Sequence, residues 1–102
     1  MISENQARSF GKDIAEGLRY LHSKGIMHRD IKLENIMLST RNEEKIARIA
    51  DFGFSTRLSN DESVTTALGT LGYMAPELIQ EKPYSFSVDV WSFGVLLYNL
   101  IS

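Results

Sequence analysis

The chain has 102 residues, 43% of them hydrophobic, and its 11 basic and 13 acidic residues give a formal net charge of −2. This length allows one domain with a modest core, and the acidic balance makes nucleic acid and anionic membrane surfaces poor candidates for partners. The absence of cysteine excludes a disulfide framework and a thiolate metal site, which suits an intracellular and, we expect, cytoplasmic protein.

The first predicted element is an amphipathic helix that begins at a capping box formed by Ser3 and Gln6, with Ile2 available for a hydrophobic staple. Apolar residues then recur at three- and four-residue steps, which predicts one buried stripe on this helix. Gly25 is suited to cap its C-terminus, so the helix should end just before that residue. The stripe consists of Ala7, Phe10, Ile14, Leu18 and Leu21.

A loop of charged residues follows, with the sequence His28-Arg29-Asp30-Ile31-Lys32-Leu33-Glu34-Asn35. It offers a carboxylate at Asp30 that can accept a hydroxyl proton and a cation at Lys32 that can meet a phosphate. Asn35 adds an amide oxygen that can ligate a hard cation. These groups are the parts that phosphoryl transfer needs.

Two short strands are predicted next, at residues 36–38 and 46–50, joined by a solvated turn. An antiparallel hairpin of this kind would bring Asp51, just past the second strand, beside Asn35 at the start of the first. Because carboxylate and amide oxygens suit Mg²⁺, we expect these two residues to share one divalent ion near Asp30.

Residues 55–68 are rich in Ser, Thr, Asn and Asp without periodicity, which predicts an irregular loop. A short helix over residues 75–79 is then expected, with Pro76 in its first turn and an end enforced by Lys82 and Pro83.

The last predicted helix covers residues 88–102 after a cap at Ser85 or Ser87. It is apolar nearly all round, so we expect neighbours to enclose it. The apolar run is interrupted by Asp89 and is shorter than the roughly 20 residues that span a bilayer, so no membrane span is predicted. Together the elements predict an α+β fold that is mainly helical with a short β-hairpin.

Three segments resemble protein kinase signatures. The charged loop resembles the catalytic loop, whose pattern is H-R-D with an asparagine five positions after the aspartate. Residues 51–53, Asp-Phe-Gly, resemble the magnesium-binding signature, although Asp51 and Gly53 also suit an ordinary turn. Residues 69–77 resemble the end of an activation segment, and together with Lys32 they indicate the serine/threonine class rather than the tyrosine class.

The resemblance implies roles for the residues of the catalytic loop. Asp30 would accept or orient the proton of the substrate hydroxyl, and Lys32 would balance charge on the transferring phosphoryl group. ATP and Mg²⁺ would be the cofactors, and a protein with a Ser or Thr hydroxyl would be the substrate. The cofactor-binding residues would be Lys32, Glu34, Asn35 and Asp51, of which Asn35 and Asp51 would bind the metal.

The resemblance also implies regulatory and substrate-facing residues. Arg29 would receive a phosphorylated residue of the activation loop, made by an upstream activating kinase. Thr66 lies before Gly69 and Thr70 at the distance that this phosphorylated residue has in the family, and Thr65 and Ser63 are the next candidates. A polar loop that is never modified fits the sequence equally well. Thr70 would hydrogen-bond to Asp30 and Lys32. Tyr73 would help to form the pocket for the residue after the phosphoacceptor.

Five further residues would be structural by the same resemblance. Asp89, on the large central helix of the kinase C-terminal lobe, would accept hydrogen bonds from the backbone of the catalytic loop, since a buried carboxylate needs donors. Phe52 would pack differently in active and inactive forms. The set consists of His28, Phe52, Gly53, Glu77 and Asp89.

Several kinase parts have no counterpart in the sequence. No Gly-rich phosphate loop, strand lysine or helix glutamate occurs before Ser3. The later helices, with an arginine for Glu77, are also missing, so Leu96, Leu97, Leu100 and Ile101 should lose part of their cover. Residues 1–102 are therefore interpreted as a partial kinase domain, the front half of the C-terminal lobe, which should be a poor enzyme alone. The alternative is a truncated, non-catalytic lobe that acts as a binding or regulatory module.

Overall fold

The computed structural model describes residues 2–58, 64 and 68–101. Its mixture of helices and short antiparallel strand pairs confirms the predicted α+β class. The candidate phosphorylation sites Ser63, Thr65 and Thr66 lie outside the described residues. The elements are α1 (Glu4–Ser23), β1 (Ile26–Met27), β2 (Ile36–Arg41), β3 (Glu44–Ile49), β4 (Thr56–Arg57), α2 (Pro76–Ile79) and α3 (Ser87–Ile101), with 3₁₀ turns at Leu33–Asn35 and Leu71–Tyr73.

Helix α1 has the predicted capping box. The Gln6 amide donates to Ser3 Oγ over 3.1 Å, and the Ser3 amide donates to Gln6 Oε1 over 2.9 Å. All five residues of the predicted stripe are buried. Gly25 follows the helix with φ +74°, and a Cβ there would lie 2.7 Å from the carbonyl oxygen of Leu58, so both conformation and space require glycine.

The predicted hairpin is present, but its strands are longer and its turn is shorter than expected. Strands β2 and β3 pair from Ile36 opposite Ile49 to Arg41 opposite Glu44. Only Asn42 and Glu43 form the turn, and both have positive φ (51° and 69°), which matches a two-residue primed turn. The solvated end of the ladder continues through polar residues because main-chain pairing does not depend on apolar side chains.

The prediction of an irregular loop over residues 55–68 is wrong at its first part. Thr56–Arg57 is strand β4, which pairs with β1 so that Met27 lies opposite Thr56. Farther along, Val64 forms an isolated antiparallel bridge with Tyr84. Strands of two residues are too short to show periodicity, so the sequence pattern could not indicate this pairing.

Helix α2 has Pro76 in its first turn as predicted, and it ends at Ile79, before Lys82 and Pro83. Helix α3 is not enclosed on all sides. Leu96 is fully buried, contrary to the expected loss of cover, whereas one face of the helix is exposed at Val90, Trp91, Tyr98 and Ile101. No helix in the described part of the chain is long and apolar enough to cross a membrane.

Two hydrophobic clusters flank the charged loop. The first joins α1, β3 and α3, and the second lies between β1, α2 and the start of α3. Ile31 belongs to the first cluster and Met27 to the second, and both are fully buried. Residues 28–30 are therefore anchored at both ends. The first cluster is Phe10, Ile14, Leu18, Ile31, Ala47 and Leu96, and the second is Met27, Leu58, Ala75, Leu78, Tyr84 and Val88.

Candidate active site

The main chain of the charged loop is held by a buried carboxylate. Asp89 is 1% exposed, and it accepts hydrogen bonds from the amides of His28 and Arg29 over 2.8 and 2.9 Å. These are the bonds expected from the sequence. His22 Nε2 lies 2.8 Å from the same carboxylate. Arg29 has φ +73°, a conformation that costs an L-residue about 1–2 kcal/mol, so these bonds help to maintain a strained loop.

The ring of His28 links the loop to the end of the hairpin. It is fully buried, its Nδ1 accepts from the Asp30 amide over 3.0 Å, and its Nε2 lies 2.9 Å from the Ala50 carbonyl oxygen. Because a carbonyl can only accept, Nε2 is the donor, which corresponds to the neutral Nε2–H tautomer. The edge of the Phe52 ring contacts this imidazole, with ring centroids 5.1 Å apart. These contacts support a structural role for His28.

The carboxylate of Asp30 is the centre of a polar cluster. Thr70 Oγ1 donates to Asp30 Oδ1 over 3.0 Å, and Asn35 Nδ2 donates to Asp30 Oδ2 over 3.2 Å. Lys32 Nζ lies 3.8 Å from Asp30 Oδ2 and donates to Thr70 Oγ1 over 2.8 Å. The structure therefore brings an acid, a cation, a hydroxyl and an amide together, including the two bonds expected of Thr70.

Main-chain pairing links Asn35 to Ala50, the residue before Asp51. The Ala50 amide donates to the Asn35 carbonyl oxygen over 2.8 Å, so Asp51 follows immediately after the residue paired with Asn35. Asn35 Nδ2 also donates to the Asp30 carbonyl oxygen over 2.8 Å, which leaves the side-chain oxygen as the atom suited to a cation. Asp51 is exposed and has φ +53°, and its Oδ1 accepts from the Gly53 amide.

The donor set does not form a closed protein cage. Among the described residues, no group of three or more His, Cys, Asp or Glu side chains could hold a metal ion. Asp51 offers an exposed carboxylate, and Asn35 offers an amide that is buried beside Asp30. By donor chemistry these two groups suit Mg²⁺, which keeps several waters and takes phosphate oxygens as its remaining ligands.

Gly69 and Thr70 lie against the charged loop of residues 28–35. Gly69 has φ +124°, and a Cβ there would lie 2.9 Å from the carbonyl oxygen of Arg29. Tyr73 is held by two residues of α3: Ser92 Oγ donates to its carbonyl oxygen over 2.7 Å, and Asn99 Nδ2 donates to its hydroxyl over 3.0 Å. This geometry fixes the surface next to Asp30 where a substrate chain would lie.

The side chain of Arg29 is held by two hydrogen bonds. Its Nε donates to the Phe54 carbonyl oxygen over 2.7 Å, and its Nη1 donates to the Tyr84 hydroxyl over 3.2 Å. Glu34 is exposed on the 3₁₀ turn, and Glu77 lies half-buried in the first turn of α2. The roles assigned to Glu34 and Glu77 stay predictions.

Two residues of this network were missed by the sequence analysis. His22 lies four residues after Leu18, so it continues the buried stripe of α1, and a histidine on an apolar face was the available signal. Tyr84 is 4% exposed and contacts Arg29, but nothing in its local sequence marks it. Both act through hydrogen bonds between distant parts of the chain, which sequence periodicity does not report.

Comparison with known proteins decides the family. The profile of the protein kinase domain family matches residues 1–102. The chain belongs to the serine/threonine protein kinase family. This kinase chain is similar to the inhibitor of nuclear factor kappa-B kinase subunit alpha from Xenopus tropicalis and to the serine/threonine-protein kinases plk-1 and plk-2 from Caenorhabditis elegans.

The identities to these three relatives are 43%, 41% and 44%, over 99%, 98% and 98% of the kinase chain. The chain spans only 14%, 15% and 15% of the length of the respective relatives.

Proposed function

We propose that these 102 residues supply the catalytic loop, the magnesium ligands and the substrate-facing segment of a kinase that phosphorylates Ser or Thr hydroxyls of proteins. The observation that carries this proposal is the convergence of Asn35, Thr70 and Lys32 on the carboxylate of Asp30. Phosphoryl transfer asks the protein mainly for positioning and charge neutralisation, and this cluster is built for both.

Asp30 is the residue that would receive the substrate hydroxyl. Hydrogen bonds from Thr70 and Asn35 fix both of its oxygens, so the carboxylate is oriented before a substrate arrives. An oriented carboxylate can accept or direct the hydroxyl proton. Lys32, which is 3.8 Å from Asp30 and 22% exposed, would place its positive charge on the transferring group.

Asn35 and Asp51 would hold Mg²⁺, with Lys32 and Glu34 on the same nucleotide-facing side. ATP would supply the phosphoryl group, and the bound metal would neutralise its negative charge. The pairing of Asn35 with Ala50 supports this assignment, because it places Asp51 one residue beyond the main-chain partner of Asn35.

We infer that phosphoryl transfer at a full rate needs phosphate-binding groups besides those of these 102 residues. The sequence contains no Gly-rich phosphate loop or V-A-I-K lysine, and these groups contribute large electrostatic terms to the rate. Transfer by the isolated 102 residues is therefore expected to be weak.

Thr66 is proposed as the phosphorylation site that Arg29 would recognise. Mass spectrometry that finds residues 63, 65 and 66 unmodified in active protein would remove this role.

A binding module without catalysis is the second candidate. The exposed apolar face of α3, at Val90, Trp91 and Tyr98, favours contact with other protein surfaces. The same face would also suit packing inside a larger domain, whereas a non-catalytic lobe has no need for the polar cluster at Asp30. The catalytic proposal therefore accounts for more of the structure.

The experiment compares Asp30→Asn with a control, Glu16→Gln, in the longest natural polypeptide that contains this chain. Glu16 is an exposed residue of α1. Asp30→Asn should lower kcat for peptide phosphorylation about 10²- to 10⁴-fold while ATP binding is retained. Glu16→Gln should behave as the wild type. Undiminished turnover in Asp30→Asn would contradict the assigned role, and phosphotyrosine as the only product would contradict the substrate class.

A further inference from the structure

Tyr84 connects two parts of the molecule that are far apart in sequence. It lies between α2 and α3, is 4% exposed, and packs in the second hydrophobic cluster. Its main chain pairs with Val64, through an N–H···O bond of 2.9 Å from Val64 and one of 2.8 Å in return. Its hydroxyl accepts from Arg29 Nη1 over 3.2 Å. One residue thus contacts the segment after β4 with its backbone and the catalytic loop with its side chain.

The other partner of this contact, Arg29, is held at three points. Asp89 accepts from its main-chain amide, the Phe54 carbonyl oxygen accepts from Nε, and the Tyr84 hydroxyl accepts from Nη1. Its φ of +73° is strained, so the backbone needs these contacts to keep its conformation. The next residue is Asp30, and a change in the Arg29 backbone would therefore move the carboxylate at the centre of the site.

We propose that Tyr84 is a positioning residue for phosphoryl transfer, acting through Arg29 and coupling the Val64 segment to the catalytic loop. The proposal rests on the kinase function given above. Hydrogen bonds with a charged donor are roughly twice as strong as those between neutral groups, so the hydroxyl is an effective restraint on the guanidinium. Tyr84 itself does not touch the reacting groups.

The substitution Tyr84→Phe isolates the hydroxyl. The ring keeps its packing in the cluster, and the main-chain bridge to Val64 does not depend on the side chain. We expect kcat to fall about three- to tenfold, less than the full worth of one hydrogen bond to a charged group because the contact acts on the site only through Arg29, while KM for ATP and for peptide changes less than about twofold. The matched control is Tyr20→Phe, which removes a hydroxyl from an exposed tyrosine of α1 and should leave kcat unchanged.

A double-mutant cycle tests whether the effect passes through the guanidinium. Arg29→Met removes the side-chain donors but keeps the amide that binds Asp89. In the Arg29→Met background, Tyr84→Phe should lower kcat less than it does in the wild type, because the bond between the two side chains is already lost. If the fold-losses in kcat of the two single variants multiply in the double variant, the two residues act independently. That result would overturn the proposal and leave Tyr84 with a role in packing alone.

A measurement without catalysis separates this inference from the proposed function. The NMR signals of the Arg29 Nη–H groups can be assigned by their loss in Arg29→Met, and those of Nη1, which donates to the Tyr84 hydroxyl, should exchange slowly with water in the wild type. Tyr84→Phe should accelerate that exchange at least severalfold, and unchanged exchange would overturn the proposal. If Asp30→Asn abolishes turnover but Tyr84→Phe leaves kcat intact, only this inference fails. If the wild type transfers no phosphate, the proposed kinase function is wrong. The exchange measurement then tests only whether the Tyr84 hydroxyl restrains Arg29.

Discussion

His22 Nε2 lies 2.8 Å from Asp89 Oδ2, although 67 positions separate the two residues. The contact joins the last turn of α1 to the first turn of α3, at the point where Asp89 also accepts the amides of His28 and Arg29. A carboxylate that is 1% exposed needs such donors, because burial without them carries a large desolvation cost. The catalytic loop is thus built on a junction of two helices.

Removing the charge at this junction should destabilise the fold. Asp89→Asn places an amide donor among groups that are themselves donors, so the free energy of unfolding should fall by about 2–4 kcal/mol. Urea denaturation of the polypeptide measures this loss. His22→Gln, which retains a donor, should lose less than His22→Leu. Equal losses from the two His22 variants would show that the side chain matters only by its volume.

The hydroxyl of Thr70 joins Lys32 to Asp30, accepting from one and donating to the other. Thr70→Val keeps the shape but removes the bridge, and we expect kcat for peptide phosphorylation to fall about tenfold, as for loss of a hydrogen bond from a neutral hydroxyl to a charged group. Thr70→Ser retains the hydroxyl and should keep most of the activity. Steady-state kinetics of both variants check this, and a fully active Thr70→Val would refute the bridge.

Gly69 should tolerate no side chain. Gly69→Ala would force a Cβ to within 2.9 Å of the Arg29 carbonyl oxygen at φ +124°, and we expect a loss of about 1–3 kcal/mol in unfolding free energy. Gly94 in α3 is the matched control, since nothing lies within 4 Å of a Cβ there. Gly94→Ala should gain about 0.5–1 kcal/mol from better helix propensity. Thermal melting distinguishes the two, and a neutral Gly69→Ala would contradict the close approach.

Local signals predicted the elements that depend on local interactions. The Ser3 capping box and the apolar stripe predicted α1 because both arise within a few turns of one helix. The hairpin and a solvated turn were predicted, but the two-residue length of the turn was not, since Asn42 and Glu43 adopt positive φ without a glycine to mark it. The pairing of β1 with β4 left no periodic pattern, and α3 was expected to be more enclosed than it is.

The site followed a similar division. The kinase resemblance implied the hydrogen bonds of Thr70 to Asp30 and Lys32, and the structure contains both. The bond from Asn35 to the Asp30 carboxylate was not predicted. The contribution of His22 and Tyr84 could not be predicted, because each depends on how separate elements pack around Asp89 and Arg29. Hydrogen bonds between single polar residues far apart in the chain are the part of a site that is hardest to predict from a sequence.

The two hydrophobic clusters give the loop an unusual mechanical setting. Met27 is buried in the second cluster and Ile31 in the first, so the three residues between them connect the two clusters. A small slip of one cluster against the other would be concentrated in those few bonds rather than spread along the chain. The position of the Asp30 carboxylate therefore depends on how the two hydrophobic clusters are placed relative to each other.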